Sequence, residues 1–343
     1  MKGMFTSTLA MPFKFKKIKT RYILILFVIA FASIFLSANL LSARAYSNKN
    51  TISAKPILPL AANNRTLIIG SYIYGGVWQG IEPIERFEYN LNQRLDIVHW
   101  FMSWNHAWNP SLLALAATNG RKPMISWEAH NQPVANIAAG QYDDYIRSWA
   151  KGAKEFGKII YLRPLPEMNG NWTPWNGDPD NFVLAWQRIV TIFRQEGANN
   201  VVWVWAANIS DYPNTATNRL ENYYPGAAYV DILAMDGYNW GTSRNWSNWQ
   251  SFEEIFSKPY KRISKLGNQE IWITEMSSTE IGGNKANWIE EMFASNKFPR
   301  LSAIIWFDEN KELDWRVQSS DNSLEAFRQG VRQQSPNYLK SLR

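Results

Sequence analysis

There is no cysteine among the 343 residues, which excludes disulfides, a thiol nucleophile and a Cys-ligated metal together. Histidine is almost missing too. His99, His106 and His130 are the only three, and none is spaced like His-x-x-x-His, so no metal site is expected. No Gly-x-Gly-x-x-Gly follows the first β-run, because Gly70 and Gly75-Gly76 have the wrong spacing for a dinucleotide loop. No Ser-His-Asp set or phosphate loop stands out, and no cofactor is expected. An excess of charge is also missing once it is located. The net charge is +7, but residues 1–45 hold seven Lys+Arg and no Asp or Glu. Taking those seven from 36 leaves 29 basic residues against 29 acidic ones. The rest of the chain is neutral overall, so nucleic acid is not an expected partner.

What is present begins with a leader. Lys14, Lys16, Lys17, Lys19 and Arg21 precede an apolar run over residues 22–38, and Ala43-Arg44-Ala45 follows. Basic, apolar, then small-x-small is the order of a secretory signal. Residues 1–45 are therefore expected to be a signal peptide or an N-terminal anchor, with a membrane tether through 22–38 as the second case. Either way the remainder is exported, to the medium, the periplasm or the cell surface. Residues 46–65, punctuated by Pro56 and Pro59 and rich in Asn and Ser, read as a polar linker. Residues 336–343 read as a tail.

All 18 tryptophans lie beyond residue 45. A core rarely needs so many indoles, since each N–H requires a partner. Flat aromatic faces also suit the C–H faces of pyranose rings. Core packing accounts for many of them, and the excess points to carbohydrate.

Short β-rich runs alternate with helical stretches after the linker. The runs at 66–70, 96–102, 123–127, 159–163, 201–206, 231–236, 271–274 and 303–307 are continuous in Ile, Val, Trp and Leu, as in strands buried on both faces. Between them, stretches such as 141–157, 179–196, 251–266 and 284–295 carry apolar residues at helical spacing. Phe182, Ala185, Trp186, Ile189, Val190 and Phe193 form one stripe. Asp178-Pro179 and Ser251 are predicted helix openings, and Gly197 and Gly267 closings. The pattern predicts an α/β fold, a single (β/α)8 TIM barrel over residues 66–335, with no second domain and no internal repeat. A monomer is expected.

Two glutamates stand just past β-runs, Glu167 after the fourth and Glu275 after the seventh. Both then reach the rim on which barrel enzymes carry their chemistry. Retaining hydrolysis of a glycosidic bond requires two carboxyl groups about 5–5.5 Å apart, one protonated and one ionised. Either glutamate alone would be better explained by a rim salt bridge or a helix cap; the pair points to catalysis.

The residues around them resemble glycoside hydrolase family 26. Arg163-Pro164-Leu165-Pro166-Glu167-Met168-Asn169-Gly170-Asn171-Trp172, with Trp175 following, is similar to the family's acid/base signature. Ile273-Thr274-Glu275 is similar to its nucleophile strand, and Asp236-Gly237-Tyr238 to its Asp-x-Tyr. The resemblance spans residues 66–335. It implies a clan A retaining β-glycanase with Glu167 as acid/base, Glu275 as nucleophile and Tyr238 steadying it. It implies substrate contacts from Trp172, Trp175, Trp306 and Asp236. Arg163 is expected to pair a carboxylate in the barrel mouth, with or without a part in substrate binding. Asn169 is expected to bond either a sugar hydroxyl or the Glu167 loop, and His130 to line the cleft. Trp127, Trp205 and Trp240 are further stacking candidates, with core packing as the equal reading. The family's mannanases usually carry His before the acid/base glutamate, and this chain has Pro166. Mannan and β-glucan are the leading substrates, mannan narrowly first on family membership, with an exopolysaccharide third. Competing readings are a glycan-binding barrel that has lost its chemistry, another clan A glycosidase, and a transglycosylase.

Overall fold

The computed structural model describes residues 67–334; the expected leader, linker and tail lie outside the described residues. The alternation of β-runs and helices becomes a closed ring of eight parallel strands, paired in chain order from first to last and back to the first. They are β1 (Ile68–Ile73), β2 (Ile97–Ser103), β3 (Lys122–Glu128), β4 (Ile160–Pro164), β5 (Val201–Asn208), β6 (Ile232–Asn239), β7 (Glu270–Ser278) and β8 (Leu301–Asp308). The predicted TIM barrel is what the chain forms.

Most strand positions are apolar on both sides because each face has its own core. One face fills the barrel, with Ile97, Met124, Tyr161, Val204, Trp272 and Ile305 packed together. The other packs against the surrounding helices in a much larger cluster that includes Trp100, Trp127, Trp203, Trp205 and Trp306. Alternation therefore separates barrel-facing from helix-facing residues even where both are hydrophobic.

The helices are α1 (Glu82–Leu91), α2 (Pro110–Ala116), α3 (Val134–Ala138), α4 (Asp143–Phe156), α5 (Pro179–Glu196), α6 (Phe252–Ile263), α7 (Lys285–Ala294) and α8 (Asp321–Gln333). α5 shows the local logic. Asp178 accepts from the Asn181 N–H at 3.2 Å and opens the helix, with Pro179 at its first position. Gly197 closes it in the left-handed conformation. The whole predicted stripe of α5 is buried, and burying each large apolar side chain contributes about 1.5–3 kcal/mol. Ser251 opens α6 with a reciprocal capping box to Glu254. α6 stops at Ile263, however, and Gly267 falls four residues beyond, after a further turn. None of the described helices is long and apolar enough to cross a membrane.

The crossover from β5 to β6 departs from the regular plan. Among the described residues it contains no α-helix, only 3-10 turns at Leu220–Tyr223 and Ala227–Tyr229. Pro213, Pro225 and Gly226 interrupt any helical run there. The first part of this segment instead folds against the loop after β4. The Tyr212 N–H donates to the Asn169 carbonyl at 2.8 Å, which brings the two loops together beside Glu167.

Candidate active site

Glu167 lies beyond the end of β4, on a turn that bends sharply. Leu165 and Glu167 both have positive φ, 50° and 54°, a region that costs a non-glycine residue on the order of 1 kcal/mol or more. The turn is held by bonds to both sides. The Leu165 N–H donates to the Trp127 carbonyl on β3 at 3.1 Å, and the Glu167 N–H to the Ala206 carbonyl on β5 at 2.9 Å. The carboxylate receives the Asn208 amide on Oε1 at 2.7 Å and the Trp172 indole N–H on Oε2 at 2.6 Å. Gly170 allows that second contact, because a Cβ there would lie 2.3 Å from the Trp172 ring.

Glu275 reaches the same mouth by another route. Along β7, Ile271 and Ile273 face the helices and Trp272 faces the barrel. Simple alternation would therefore turn Glu275 outward. The register shifts at this point: Met235 pairs with Ile273 but Asp236 pairs with Glu275, so Thr274 is an extra residue in β7. Met276 is again helix-facing. The bulge re-aims Glu275 into the barrel, where it is 9% exposed.

There Glu275 joins a buried network of charged and polar groups. Arg163, on β4, donates through Nη1 to Glu275 Oε1 and through Nη2 to Asp236 Oδ2. Its Nη1 also reaches Ser126 Oγ at 2.7 Å, and Ser126 Oγ in turn meets His99 Nε2 at 2.7 Å. Thr274 Oγ1 donates to Asp236 Oδ1 at 2.7 Å, and the Tyr238 hydroxyl donates to Glu275 Oε2 at 3.0 Å. Five strands thus fix one carboxylate.

The electrostatics follow from this layout. Burial alone would lower the Arg163 pKa, yet Asp236 and Glu275 hold it above its ordinary value, so the guanidinium is always charged. Burial pushes Asp236 up, against the pull of Arg163. Burial, then the Glu275 charge, raises the Tyr238 hydroxyl well above the usual range, so it stays protonated and donates. Burial lowers His99 well below its ordinary value, with Arg163 adding to the effect, and its imidazole is neutral. Glu167 is raised, first by desolvation and then by the negative charge of Glu275, against the opposing pull of Asn208, Trp172 and Arg163. One carboxyl is thus biased toward its acid form beside another that is paired with a cation, which is the asymmetry that acid-assisted displacement chemistry uses.

The expected site residues divide into two groups in the structure. Glu167, Glu275, Tyr238, Arg163 and Asp236 come together at one end of the barrel. Arg163 and Asp236 are fully buried, so they position Glu275 and do not touch substrate. Asn169 is also fully buried. Its amide donates to the carbonyls of Asn208 (3.0 Å) and Ser210 (3.2 Å), and its oxygen accepts from the Asn208 N–H at 2.9 Å. It pins the Glu167 loop to β5 and has no group left for a sugar. Trp175 is 2% exposed, with its indole N–H on the Pro166 carbonyl at 2.6 Å, so it props the same loop from below. Trp127 and Trp205 are core residues.

Trp306 is the clearest correction. Expected as a stacking surface, it faces the helices. It is fully buried, packs on Trp288 and Phe327, and donates to the Trp315 carbonyl at 2.9 Å. On β8 the barrel-facing neighbour is Phe307, whose ring stacks on Tyr72 at 4.7 Å and meets Tyr238 at 5.8 Å.

Trp172, in contrast, is 53% exposed. Its ring lies 6.5 Å from that of Tyr212, with 24° between the planes, and together they make an aromatic ledge beside Glu167. His130 is exposed and bonds Glu128 Oε2 at 2.8 Å. Burial raises the Glu128 carboxyl, and His130 opposes the shift. Asn208, Tyr212 and Phe307 were not among the expected residues. Asn208 and Phe307 could have been found by extending the inward parity of Val204-x-Ala206 and Ala303-x-Ile305 to the strand ends.

The model of glycosyl hydrolase family 26 matches residues 96–294, which is more than half of the chain and contains both glutamates. Endoglucanase H of Acetivibrio thermocellus is 40% identical over 288 residues, covering 78% of this chain and 32% of that protein. A mannan endo-1,4-β-mannosidase of Bacillus subtilis is 30% identical over 165 residues, covering 45% of this chain and 40% of that one. The chain thus spans less than half the length of either curated relative. Among solved structures, the catalytic domain of an endo-β-1,4-mannanase from Bacillus sp. JAMB-750 superposes with a TM-score of 0.62 at 16% identity, over 79% of this chain and 86% of that one. At that identity the likeness speaks for the barrel alone. The family match, the barrel and the motifs on its rim agree: the chain belongs to glycosyl hydrolase family 26.

Proposed function

We propose that this chain is an exported, retaining endo-β-glycanase that cleaves a β-linked polysaccharide by double displacement. The observation that carries the reading is the unlike treatment of two carboxyl groups in one mouth. Glu275 is met by a guanidinium and a phenol, whereas Glu167 is met only by neutral donors and is raised by burial. Glu167 would give its proton to the departing glycosidic oxygen while Glu275 bonds to the anomeric carbon. Water would then attack that carbon, lose its proton to Glu167 and release Glu275. Tyr238 and Arg163 would keep the Glu275 oxygens aligned through both steps, and Trp172 would stack on the sugar next to the cleaved bond. Export is supported by the basic, apolar and Ala-x-Ala order of residues 14–45.

Two observations favour β-glucan over mannan, reversing the order expected from family membership. The endoglucanase relative is more similar, and over more of this chain, than the mannosidase relative. Pro166 also stands where the resemblance leads one to expect His in mannanases.

Sugar release from lichenan, soluble mannan, β-1,3-xylan and crude exopolysaccharide, with Glu275→Ala as control, tests the reading. Release from lichenan above the others, with the β-anomer formed first, is the expected result. No release from any of them, or release that survives Glu275→Ala, would overturn it.

A further inference from the structure

The connection from β8 to α8, residues 309–320, packs against Tyr238 as a strap, and a buried lysine from another element fastens it. Trp315, in the strap, is 1% exposed. Its ring lies 5.1 Å from that of Tyr238 and 4.9 Å from that of Trp240. Phe307 on β8 also meets the Tyr238 ring edge-on, so two aromatic rings fix the phenol. Its place matters because the hydroxyl reaches Glu275 Oε2 at 3.0 Å, the long limit for an O–H···O bond. A small retreat of the ring would break that bond.

Lys285, the first residue of α7, is fully buried. Its ammonium donates to three neutral oxygens, all on the strap: the Arg316 carbonyl at 2.6 Å, the Ser319 hydroxyl at 2.9 Å and the Asp314 carbonyl at 3.4 Å. Asp314 and Arg316 flank Trp315 in the chain. The Trp315 carbonyl itself accepts from Ser277 Oγ at 2.5 Å and from the Trp306 indole at 2.9 Å. Ser319 donates onward to Glu280 Oε1 at 2.8 Å. Burial lowers the Lys285 pKa to about 8; Glu280, Asp314 and Asp308 oppose the fall, and Arg316 adds to it. At neutral pH the ammonium is therefore charged at some cost in stability. A hydrocarbon chain would avoid that cost and lose all three bonds. What the lysine fixes is the path of the strap, and with it the place of Trp315.

We propose that Lys285 is a positioning residue for the reaction: by fastening Asp314, Arg316 and Ser319 it holds Trp315 against Tyr238 and so keeps the Tyr238 hydroxyl on Glu275. The inference rests on the proposed function, in which Tyr238 aligns the nucleophile. Lys285 is buried away from any substrate, and its effect passes through the Trp315 and Tyr238 rings to one hydrogen bond. It therefore acts on the rate of the chemical steps and leaves the sugar-binding surface alone.

Steady-state kcat and KM of the wild type, Lys285→Met, Tyr238→Phe and the double variant test this as a cycle, on the polysaccharide that the wild type cleaves. Lys285→Met should lower kcat about tenfold, with KM changed less than about twofold. In the Tyr238→Phe background the same change should lower kcat less than about twofold, because the hydroxyl it positions is gone. A general weakening of the fold would instead multiply the two losses. If Lys285→Met does not fold, Lys285→Gln, which keeps an amide donor, takes its place in the cycle. Multiplied losses, a loss carried by KM, or no loss from the single variant would overturn the positioning role and leave the hydrolase reading intact. A wild type that cleaves no polysaccharide would overturn that reading, and the positioning role with it.

Discussion

The loop after β4 and the bulge in β7 bring a glutamate to the same mouth by opposite means. Glu167 sits past the strand end on a left-handed turn, tied by backbone and amide bonds and touched only by neutral donors. Glu275 sits within a strand, turned inward by one extra residue and met by a buried guanidinium. The first arrangement leaves a carboxyl that gains by keeping its proton. The second gives a carboxylate a permanent counter-charge. The backbone device thus decides what each side chain can meet, and what it meets decides its chemical role.

The comparison is broken most severely by deleting either carboxylate, and the two deletions should fail differently. Glu275→Ala should reduce kcat by about 10⁴-fold or more, with no relief from an activated leaving group. Glu167→Ala should cost about 10²–10⁴-fold on polysaccharide, and much less on an aryl glycoside whose phenolate leaves unaided. Initial rates on both substrates check this. Equal behaviour on the aryl glycoside would erase the proposed division of roles.

Next in size is the counter-charge. Arg163→Met leaves Glu275 and Asp236 buried without their cation, a change that costs about 3–5 kcal/mol. Thermal denaturation at neutral pH should show a fall in Tm of about 10 °C. A Tm close to that of the wild type would mean that the network contributes little to holding Glu275.

Tyr238→Phe sharpens the comparison without dismantling it. It removes one hydrogen bond to a charged oxygen, worth about 1.5–3 kcal/mol. An expected loss of about 10–100-fold in kcat with little change in KM is read from steady-state rates. A loss confined to KM would move Tyr238 to ground-state binding.

The smallest effect belongs to Trp172. Its indole N–H favours the ionised form of Glu167 and so opposes the upward shift caused by burial and by Glu275. The general acid must be protonated, so activity falls as pH rises through the Glu167 pKa. Trp172→Phe removes the donor, raises that pKa further and should move the alkaline limb of the kcat profile to higher pH. A limb displaced to lower pH would contradict the assignment of Glu167.

Much of this was legible in the chain because strong local signals agreed. Eight apolar runs, Asp178 and Ser251 as helix openings, and Glu167 just past its β-run all reappear in the structure, whereas Glu275 lies inside β7 rather than past it. Glu275 was found by its motif and position; the bulge that turns it inward left no mark in the hydrophobic pattern. Parity misled elsewhere. Trp306 looked like a platform because it is aromatic near a strand end, yet it shares the helix-facing side and Phe307 holds the inward place. Asn169 and Trp175 sit in a signature that invites substrate contacts, but a strained turn consumes their hydrogen bonds to hold itself. The role of Asn208 depends on a contact between the end of β5 and the loop after β4, 41 residues apart in sequence.

Whether Glu275 forms the bond to the anomeric carbon is the point on which the account turns, and trapping the intermediate tests it most directly. A 2-deoxy-2-fluoro glycoside with a good leaving group slows release of the glycosyl-enzyme, so the labelled peptide can be identified by mass spectrometry. The account predicts a single adduct, on Glu275. An adduct on Glu128 or Glu167, or no adduct together with an inverted product, would contradict it.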